Sequence, residues 1–232
     1  MLFDYRIKVE QENFGSISLH VESLANLDEA IDTFFGLFNG KQSDAEIEAL
    51  CPYFGLVWPS ARGLSEYLVD LGRPSLEGAR VLEVGCGLAV PSMVAAKLGA
   101  QGVATDLHPD IPHFLQRNLK NNQIESVTFR HLNWTASSLP AEMAEEKFEW
   151  VIGSDILYEK QQPAPLAAAL DRFCSSTGTV VVADPGRPYL QVFSDEMKRL
   201  GFTSRMICKK VRDCPVEKDI FVLEFKRVTS RV

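Results

Sequence analysis

The segment RVLEVGCGLAV at positions 80–90 has the residue types of a nucleotide-binding turn. Its apolar start, Val81–Val84, predicts a buried strand, Gly85, Cys86 and Gly87 predict a tight turn, and the residues that follow predict a helix. A strand, a glycine turn and a helix in this order bring the backbone close to a nucleotide-like ligand. The alternative is a βα turn that carries two glycines for steric reasons alone, with Cys86 as a small packing residue.

Two features of this segment indicate the kind of ligand. A dinucleotide fingerprint needs a third glycine where the chain has Val90, and Glu83 places a carboxylate just before the turn. A carboxylate there attracts a cationic ligand and repels a pyrophosphate. A zwitterionic cofactor with an amino group fits this arrangement, and S-adenosylmethionine is the obvious one.

A second acidic residue follows the next predicted strand. The stretch Gly102–Asp106 reads as a short strand that ends in an acid, with Leu107 beside it in the same loop. Asp106 lies roughly 20 residues past the glycine turn, which is the spacing at which a carboxylate accepts both hydroxyls of a ribose. The alternative role for Asp106 is an N-cap of the helical segment Pro109–Asn122.

Other candidate residues follow the remaining predicted strands. Open α/β sheets bind ligands beyond the carboxyl ends of their strands. On this chain that edge carries residues 85–88, 106–108, 133–134, 154–158 and 184–187. All the candidates therefore fall on one edge of one sheet, which is stronger evidence for a site than any single motif.

Individual residues at this edge have more than one interpretation. Trp134 either lies beside an adenine or is a core tryptophan, and Asn133 either hydrogen-bonds within its loop or ends the third strand. Arg187, in the segment DPGRP, either holds a substrate carboxylate or carbonyl or is a solvated loop arginine, and the second is favoured. His108 either touches the cofactor or is a plain loop residue, and the second is favoured.

Taken together, the chain resembles the class I, seven-stranded S-adenosylmethionine-dependent methyltransferases. Within that group it is most similar to the methyltransferase-like protein-lysine methyltransferases, over roughly Phe54 to Phe225. The carriers of the resemblance are VWPSARGLSEYL, LEVGCG, the acid in ATD, Asn133-Trp134 and Ser154-Asp155-Ile156-Leu157-Tyr158. The chain departs from the family at Ala89, where a glycine is usual.

The resemblance implies roles for particular residues. Asp155 and Tyr158, an Asp-x-x-Tyr motif, border the methyl-transfer site and are the expected catalytic residues; their alternatives are a turn cap and a pocket wall. Trp58 becomes a wall of the cofactor pocket, or else a hydrophobic staple before the Pro59 helix. The expected cofactor-binding residues are Trp58, Glu83, Gly85, Cys86, Gly87, Asp106, Leu107, Asn133, Trp134 and Ser154.

The elements that must position these residues alternate from Arg80 onward between short apolar runs and helical segments. This pattern predicts an α/β, Rossmann-like fold with a seven-stranded, mostly parallel sheet and helices on both faces. The expected strands are Val81–Val84, Val103–Thr105, Val127–Arg130, Trp150–Gly153, Thr179–Ala183, Thr203–Cys208 and Ile220–Phe225. A short polar loop over Lys209 to Asp219 allows the last two strands to be antiparallel.

Residues 1–79 differ in pattern and are expected to form an extension that packs on a core at residues 80–232. Tyr5–Glu10 and Ser16–Val21 predict a hairpin around Gly15, and Asn26 predicts the N-cap of a first helix. Ser43 and Glu46 form a capping-box pattern for a second helix. A third helix is expected from Pro59 to Leu71, stopped by Gly72, with Leu64, Leu68 and Leu71 on one buried face.

Composition narrows the class of protein. The chain has 232 residues and a net charge of -7, and an acidic chain disfavours nonspecific nucleic-acid binding. No membrane span or signal peptide is expected. The five cysteines are odd in number and contain no Cys-x-x-Cys pair, which argues against a disulfide scaffold or a zinc site and for a reduced, cytoplasmic setting. The leading interpretation is a protein-lysine N-methyltransferase. Alternatives are transfer to a small amine or heterocyclic nitrogen, and a non-catalytic cofactor-binding or interaction module.

Overall fold

The computed structural model describes residues 5–36, 47, 50–136, 140–213 and 216–228. Within these ranges nine strands form a two-stranded sheet and a seven-stranded sheet. The strands are β1 Ile7–Phe14, β2 Ile17–Leu24, β3 Arg80–Val84, β4 Gln101–Asp106, β5 Val127–His131, β6 Phe148–Ser154, β7 Cys174–Asp184, β8 Phe202–Asp213 and β9 Val216–Arg227. The helices are α1 Leu27–Gly36, α2 Pro59–Leu71, α3 Arg73–Leu76, α4 Val90–Lys97, α5 Ile111–Asn121, α6 Pro163–Phe173 and α7 Tyr189–Arg199.

The large sheet has the strand order β5-β4-β3-β6-β7-β9-β8. Strands β3 to β7 pair in parallel, whereas β9 is antiparallel to both of its neighbours. The carboxyl ends of the five parallel strands therefore meet at one edge. The strand order reverses between β3 and β6, which is the place where sheets of this kind bind ligands.

Helices cover both faces of the sheet, because the central strands are apolar on both sides. One buried cluster joins the sheet to α2, α4, α5 and the β1-β2 hairpin, and the other joins it to α6 and α7. The predicted α/β fold with a seven-stranded, mostly parallel sheet is confirmed. None of the helices among the described residues is long and apolar enough to cross a membrane.

The predicted loop over residues 209–219 is wrong. Strands β8 and β9 continue pairing through it up to Asp213 and Val216. Val211 and Ile220 are buried, and a Cβ added at Gly63 of α2 would lie 2.8 Å from Ile220 Cγ2. The many polar residues of this segment were interpreted as a loop. They occupy the face of the hairpin that is exposed to solvent, whereas its other face packs on a helix.

The N-terminal elements follow the sequence pattern closely. The hairpin forms around Gly15, which has φ +56°, and the Asn26 side chain accepts a hydrogen bond of 3.1 Å from the Glu29 N–H at the start of α1. Helix α2 has the predicted bounds, although Leu71 is only half-buried. The predicted helix at Ser43 lies outside the described residues.

Candidate active site

A small cleft, open to solvent, lies at the carboxyl edge of the sheet. Three stretches of chain line it: Leu56–Trp58 with Ala61 at the start of α2, the glycine turn at residues 85–90, and Ser154 at the end of β6. Five of the predicted cofactor-binding residues are among them. These five are Trp58, Gly85, Cys86, Gly87 and Ser154.

The two glycines of the turn are required by backbone conformation and by close packing. Gly85 has φ +64° and Gly87 has φ +50°, a region that favours glycine. A Cβ on Gly85 would lie 2.5 Å from Ile156 Cγ2 and 3.2 Å from the Trp134 ring, and a Cβ on Gly87 would lie 3.2 Å from the backbone oxygen of Phe54. The turn therefore depends on glycine because of the protein's own packing.

Ala89, where the chain departs from the family, also has a left-handed backbone. Its φ is +56°, it is fully buried, and it precedes the first residue of α4. A residue with a Cβ is strained in this conformation. Ala89 therefore adopts the left-handed backbone conformation that a glycine would adopt at this position.

The carboxylate of Asp106 organises the turn from the neighbouring strand. Its Oδ2 accepts a hydrogen bond from the Gly87 N–H at 3.0 Å, and its Oδ1 accepts from the N–H groups of Leu107 at 2.7 Å and His108 at 3.2 Å. Burial raises the pKa of Asp106, and these three donors act in the opposite direction. Asp106 does not cap α5, since that helix begins at Ile111 with Asp110 as its N-cap residue.

Glu83 lies beneath the turn rather than in the cleft. Its side chain is fully buried, and its Oε2 accepts hydrogen bonds from the N–H and the hydroxyl of Ser92 in the first turn of α4. Burial raises the pKa of Glu83 to about 8. Its Oε1 has no hydrogen-bond partner among the described residues. Glu83 therefore stabilises the start of α4 and leaves one buried oxygen for a further interaction.

Asn133 and Trp134 share a loop but differ in their contacts. The Asn133 side chain accepts hydrogen bonds from the N–H and the hydroxyl of Thr135, so it serves its own turn. Trp134 packs over Gly85 and against the second apolar cluster. Its buried indole N–H has no acceptor within the described part of the chain.

The start of α2 forms the opposite wall of the cleft. The Trp58 indole N–H donates to the Tyr53 carbonyl at 2.9 Å, which fixes the ring beside Pro59. Ser60 is fully buried, and its hydroxyl has no partner among the residues that the structure describes. A buried hydroxyl without a partner is costly, so it marks a place where a further polar group fits.

Asp155 is held by three elements of the fold. Its backbone is left-handed, with φ +56°, and the N–H donates to the Ala183 carbonyl at 3.0 Å. Its Oδ2 accepts from the Ser60 N–H at 3.1 Å, and its Oδ1 accepts from Arg187 Nη2 at 2.7 Å. The ends of β6 and β7 and the start of α2 thus converge on one carboxylate.

Arg187 connects Asp155 to a second carboxylate. Its Nη1 donates to Asp184 Oδ2 at 2.8 Å, while Asp184 Oδ1 accepts from the N–H groups of Gly186 and Arg187. Burial lowers the pKa of Arg187, but Asp155 and Asp184 outweigh it and the net shift is upward. The favoured interpretation of Arg187 as a solvated loop residue is wrong. The acid three positions earlier was the available signal, because a buried Asp at a strand end needs a cation or several donors.

Tyr158 and His108 lie farther out along the same edge. Tyr158 is exposed, and its backbone N–H donates to Gln162 Oε1 at 3.0 Å. His108 is buried against Phe54, accepts from the Asp110 N–H through Nδ1, and has Nε2 3.0 Å from the Leu50 carbonyl. Since Nδ1 accepts, Nε2 carries the proton and the ring is neutral. Burial accordingly lowers the pKa of His108.

The arrangement is a cleft between a glycine turn and a helix start, with carboxylates at its margins. Leu107 lies next to Asp106 and contributes its N–H to that carboxylate and its carbonyl oxygen to a contact of 3.0 Å with His131 Nε2. Within the described ranges no group of three His, Cys, Asp or Glu residues could hold a metal ion. The carboxylates of Asp106 and Asp155 beside this cleft suit a polar, cationic organic group.

Similarity to curated proteins agrees with this geometry. Over 122 residues the chain is 30% identical to the human histone-arginine methyltransferase METTL23, covering 49% of this chain and 60% of that protein. It is 31% identical to the mouse protein N-lysine methyltransferase METTL21A over 136 residues, covering 55% and 59%. The chain spans about half the length of the curated relatives it matches.

Solved structures share the fold. The magnesium protoporphyrin IX methyltransferase of Synechocystis PCC 6803, solved with bound S-adenosylmethionine, superposes with a TM-score of 0.58 at 15% identity, over 87% of this chain and 94% of that one. The sequence profile of the lysine methyltransferase family matches residues 52–198, which is more than half of the chain. This chain therefore belongs to the lysine methyltransferase family.

Proposed function

We propose that this protein is an S-adenosylmethionine-dependent methyltransferase whose acceptor is a lysine side chain of another protein. One observation carries the proposal. In a chain that matches the lysine methyltransferase family, the glycine turn and Ser154 line a cleft at the point where the strand order reverses, with Asp106 bonded to Gly87 and Asp155 bonded to the start of α2.

The residues at and behind the cleft suit this cofactor. Behind the glycine turn and at the start of α2 lie three buried polar atoms without partners among the described residues: Glu83 Oε1, the Trp134 indole N–H and the Ser60 hydroxyl. S-adenosylmethionine supplies a methyl group activated by a sulfonium, together with an ammonium, a carboxylate and a ribose. Asp106 Oδ2, which accepts a single hydrogen bond from the described residues, would hold a ribose hydroxyl, and the glycine turn and Trp58 would enclose the remainder of the cofactor.

An amine acceptor must be neutral to attack. A lysine with a pKa near 10.4 is protonated at pH 7, and removing its proton costs about 4.6 kcal/mol. Burying the amine beside a cation lowers that cost, because both effects disfavour the ammonium. Tyr158 is exposed at this edge, and a long side chain of another protein would approach the site from there.

Asp155 is suited to positioning the amine. Ser60 and Arg187 each occupy one of its oxygens, so the carboxylate has a fixed orientation and still has lone pairs that can accept an amine N–H. Asp155 and Asp184 with Arg187 leave one net negative charge next to the cleft, which favours a cationic ligand. Holding the nitrogen in line supplies much of the acceleration in a displacement of this kind.

A second acceptor class has specific support. The human METTL23 relative is named as a histone-arginine methyltransferase, while others at similar identity are named as lysine methyltransferases. A guanidinium and an amine both present N–H groups to a carboxylate, so the site chemistry admits either. We place lysine first because the family profile is that of lysine methyltransferases.

The test has two stages. Calorimetry with S-adenosylhomocysteine is expected to show binding, and ligand at about 100 times its Kd should add about 2.7 kcal/mol of stability. Labelled S-adenosylmethionine is then incubated with the protein and a cell lysate, and the labelled protein bands are hydrolysed to free amino acids. Methyl-lysine in the hydrolysate supports the proposal, and methyl-arginine supports the second acceptor class.

Variants separate the acceptor side from the cofactor side. Asp155→Ala is expected to lower transfer about 100-fold or more while S-adenosylhomocysteine affinity changes by less than about tenfold. Tyr158→Phe should have a smaller effect, since it keeps the ring. Asp195→Ala, on the exposed surface of α7, is the matched control and should behave as the wild type. Label found only in small molecules, or no binding at millimolar ligand, would end the proposal.

A further inference from the structure

The β1-β2 hairpin has one edge that the protein closes with side chains. Asn122 Oδ1 accepts from the His20 N–H at 2.8 Å, and its Nδ2 donates to the His20 carbonyl at 2.8 Å. Asn118 makes the same pair of bonds with Glu22, at 2.7 and 3.1 Å. Two amides, one in the last turn of α5 and one directly after that helix, thus take the place of a neighbouring strand along β2.

This closure fixes the direction of the backbone groups on β1. His20 and Glu22 point their N–H and C=O groups away from β1, and they pair in register with Gln11 and Val9. In an antiparallel pair, residues opposite such positions also point outward. The N–H and C=O groups of Val9 and Gln11 therefore face away from β2, along the outer edge of β1.

The outer edge of β1 is open. In the part of the chain that the structure describes, no hydrogen bond reaches the outward backbone groups of Ile7, Val9 or Gln11. Ile7 is 44% exposed and Val9 is 55% exposed. An exposed edge strand with apolar residues is a template for pairing with another strand, and proteins usually block such edges with Pro, bulges or repelling charges.

The charges on β1 do not repel a second copy of the same strand. When Val9 of one copy lies opposite Val9 of the other in an antiparallel pair, Lys8 of each copy lies opposite Glu10 of the other. Shifting the register by two positions one way places Lys8 opposite Lys8, and the other way places Glu10 opposite Glu10. Opposite charges stabilise a cross-strand pair and like charges destabilise it.

We propose that the outer edge of β1 is a self-association surface, at which two copies of this chain pair through β1 with Val9 at the centre. The outward positions Ile7, Val9 and Gln11 would exchange about six backbone hydrogen bonds across the two-fold axis. A single strand pair buries far less area than the roughly 1,200–2,000 Å² of a stable complex. The association is therefore weak and dependent on concentration.

Proline at position 9 tests the edge directly. Because the Val9 N–H points outward, Val9→Pro removes a donor of the proposed pairing and leaves the β1-β2 hydrogen bonds intact. Sedimentation velocity of the full chain from about 10 to 500 µM is expected to show a reversible dimer for the wild type and for Val9→Thr, the matched control. Val9→Pro should remain a monomer, with an unchanged circular dichroism spectrum.

Charge reversal tests the register. Lys8→Glu and Glu10→Lys each place like charges opposite each other twice, and each should weaken the dimer about tenfold or more. A mixture of the two variants pairs opposite charges again, so it should form a heterodimer about as strong as the wild-type dimer. Recovery on mixing cannot arise from misfolded variants.

A wild-type chain that stays monomeric at 500 µM overturns the proposal, and so does a dimer that Val9→Pro leaves intact. A dimer weakened by Val9→Pro but not restored by mixing the charge variants overturns the proposed register. These experiments measure mass alone, so they do not depend on the proposed methyltransferase function.

Discussion

Arg187→Lys isolates the link between Asp155 and Asp184. Lysine keeps the positive charge but has a single ammonium, so it cannot donate to Asp155 and Asp184 in the fork geometry of a guanidinium. The variant therefore loses one of two charge-assisted hydrogen bonds while the net charge of the site is unchanged. The expected consequence is a mobile Asp155 carboxylate in a folded protein.

The expected loss in free energy of unfolding depends on how far the two side chains are buried. A hydrogen bond to a charged group is worth about 1.5–3 kcal/mol, and since the Arg187 side chain is 29% exposed and that of Asp155 10%, solvent reduces the loss to about 1–2 kcal/mol. Arg187→Ala leaves both carboxylates without their cation. Asp184 is fully buried, so that variant should lose about 3 kcal/mol.

Urea unfolding measures the stability change, and single-turnover transfer at saturating cofactor measures the role of Asp155. Arg187→Lys is expected to slow transfer by about tenfold or more, whereas the Kd for S-adenosylhomocysteine should change by less than tenfold. Arg199→Lys is the matched control, because Arg199 also pairs with an acid three positions earlier but its side chain is 72% exposed. If Arg187→Lys has the wild-type free energy of unfolding and the wild-type rate of transfer, Arg187 does not position Asp155.

Three further changes test the glycine turn and the residues beneath it. Asp106→Asn replaces an acceptor with an amide donor that faces the Gly87 N–H, so calorimetry should show a Kd for S-adenosylhomocysteine raised at least tenfold; an unchanged Kd would mean that this carboxylate is not needed for binding. Glu83 has a pKa of about 8 in the fold and near 4.5 when exposed, so its protonated form favours the folded state. Its contribution to the free energy of unfolding is therefore greatest below pH 4.5 and is lost as the pH rises toward 8. Urea titrations at several pH values should find that Glu83→Gln removes a decline of up to about 1.4 kcal/mol per pH unit, and parallel pH profiles for the two proteins would contradict the assignment. Gly85→Ala places a Cβ 2.5 Å from Ile156 Cγ2 at a positive φ, so it should lower the free energy of unfolding by about 2–4 kcal/mol in urea; a stable variant would mean that the turn can move.

Several expectations stay predictions. The boundary between an extension at residues 1–79 and a core at 80–232, the roles assigned to single site residues, the absence of a nucleic-acid partner and the cytoplasmic location rest on sequence patterns.

The sequence alone was enough to predict most of the elements and the edge of the sheet where the candidate site is expected. Hydrophobic periodicity and short-range signals such as Pro59, Gly72 and Asn26 act within a few residues, so they placed the strands and the bounds of α2 before any packing was known. In a parallel sheet the carboxyl ends share one edge by necessity, which is why residues from five separate loops could be assigned to one site.

The tertiary structure alone decided how those residues contact one another. Ser60 and Asp155 are 95 positions apart and Asp155 and Arg187 are 32 apart, and no local pattern encodes either pairing. The burial of Glu83 beneath α4 and the closure of β2 by amides on α5 have the same origin. Each depends on which surfaces meet once the chain is folded, because hydrogen bonding and burial act on neighbours in space, whereas a sequence pattern records only neighbours along the chain.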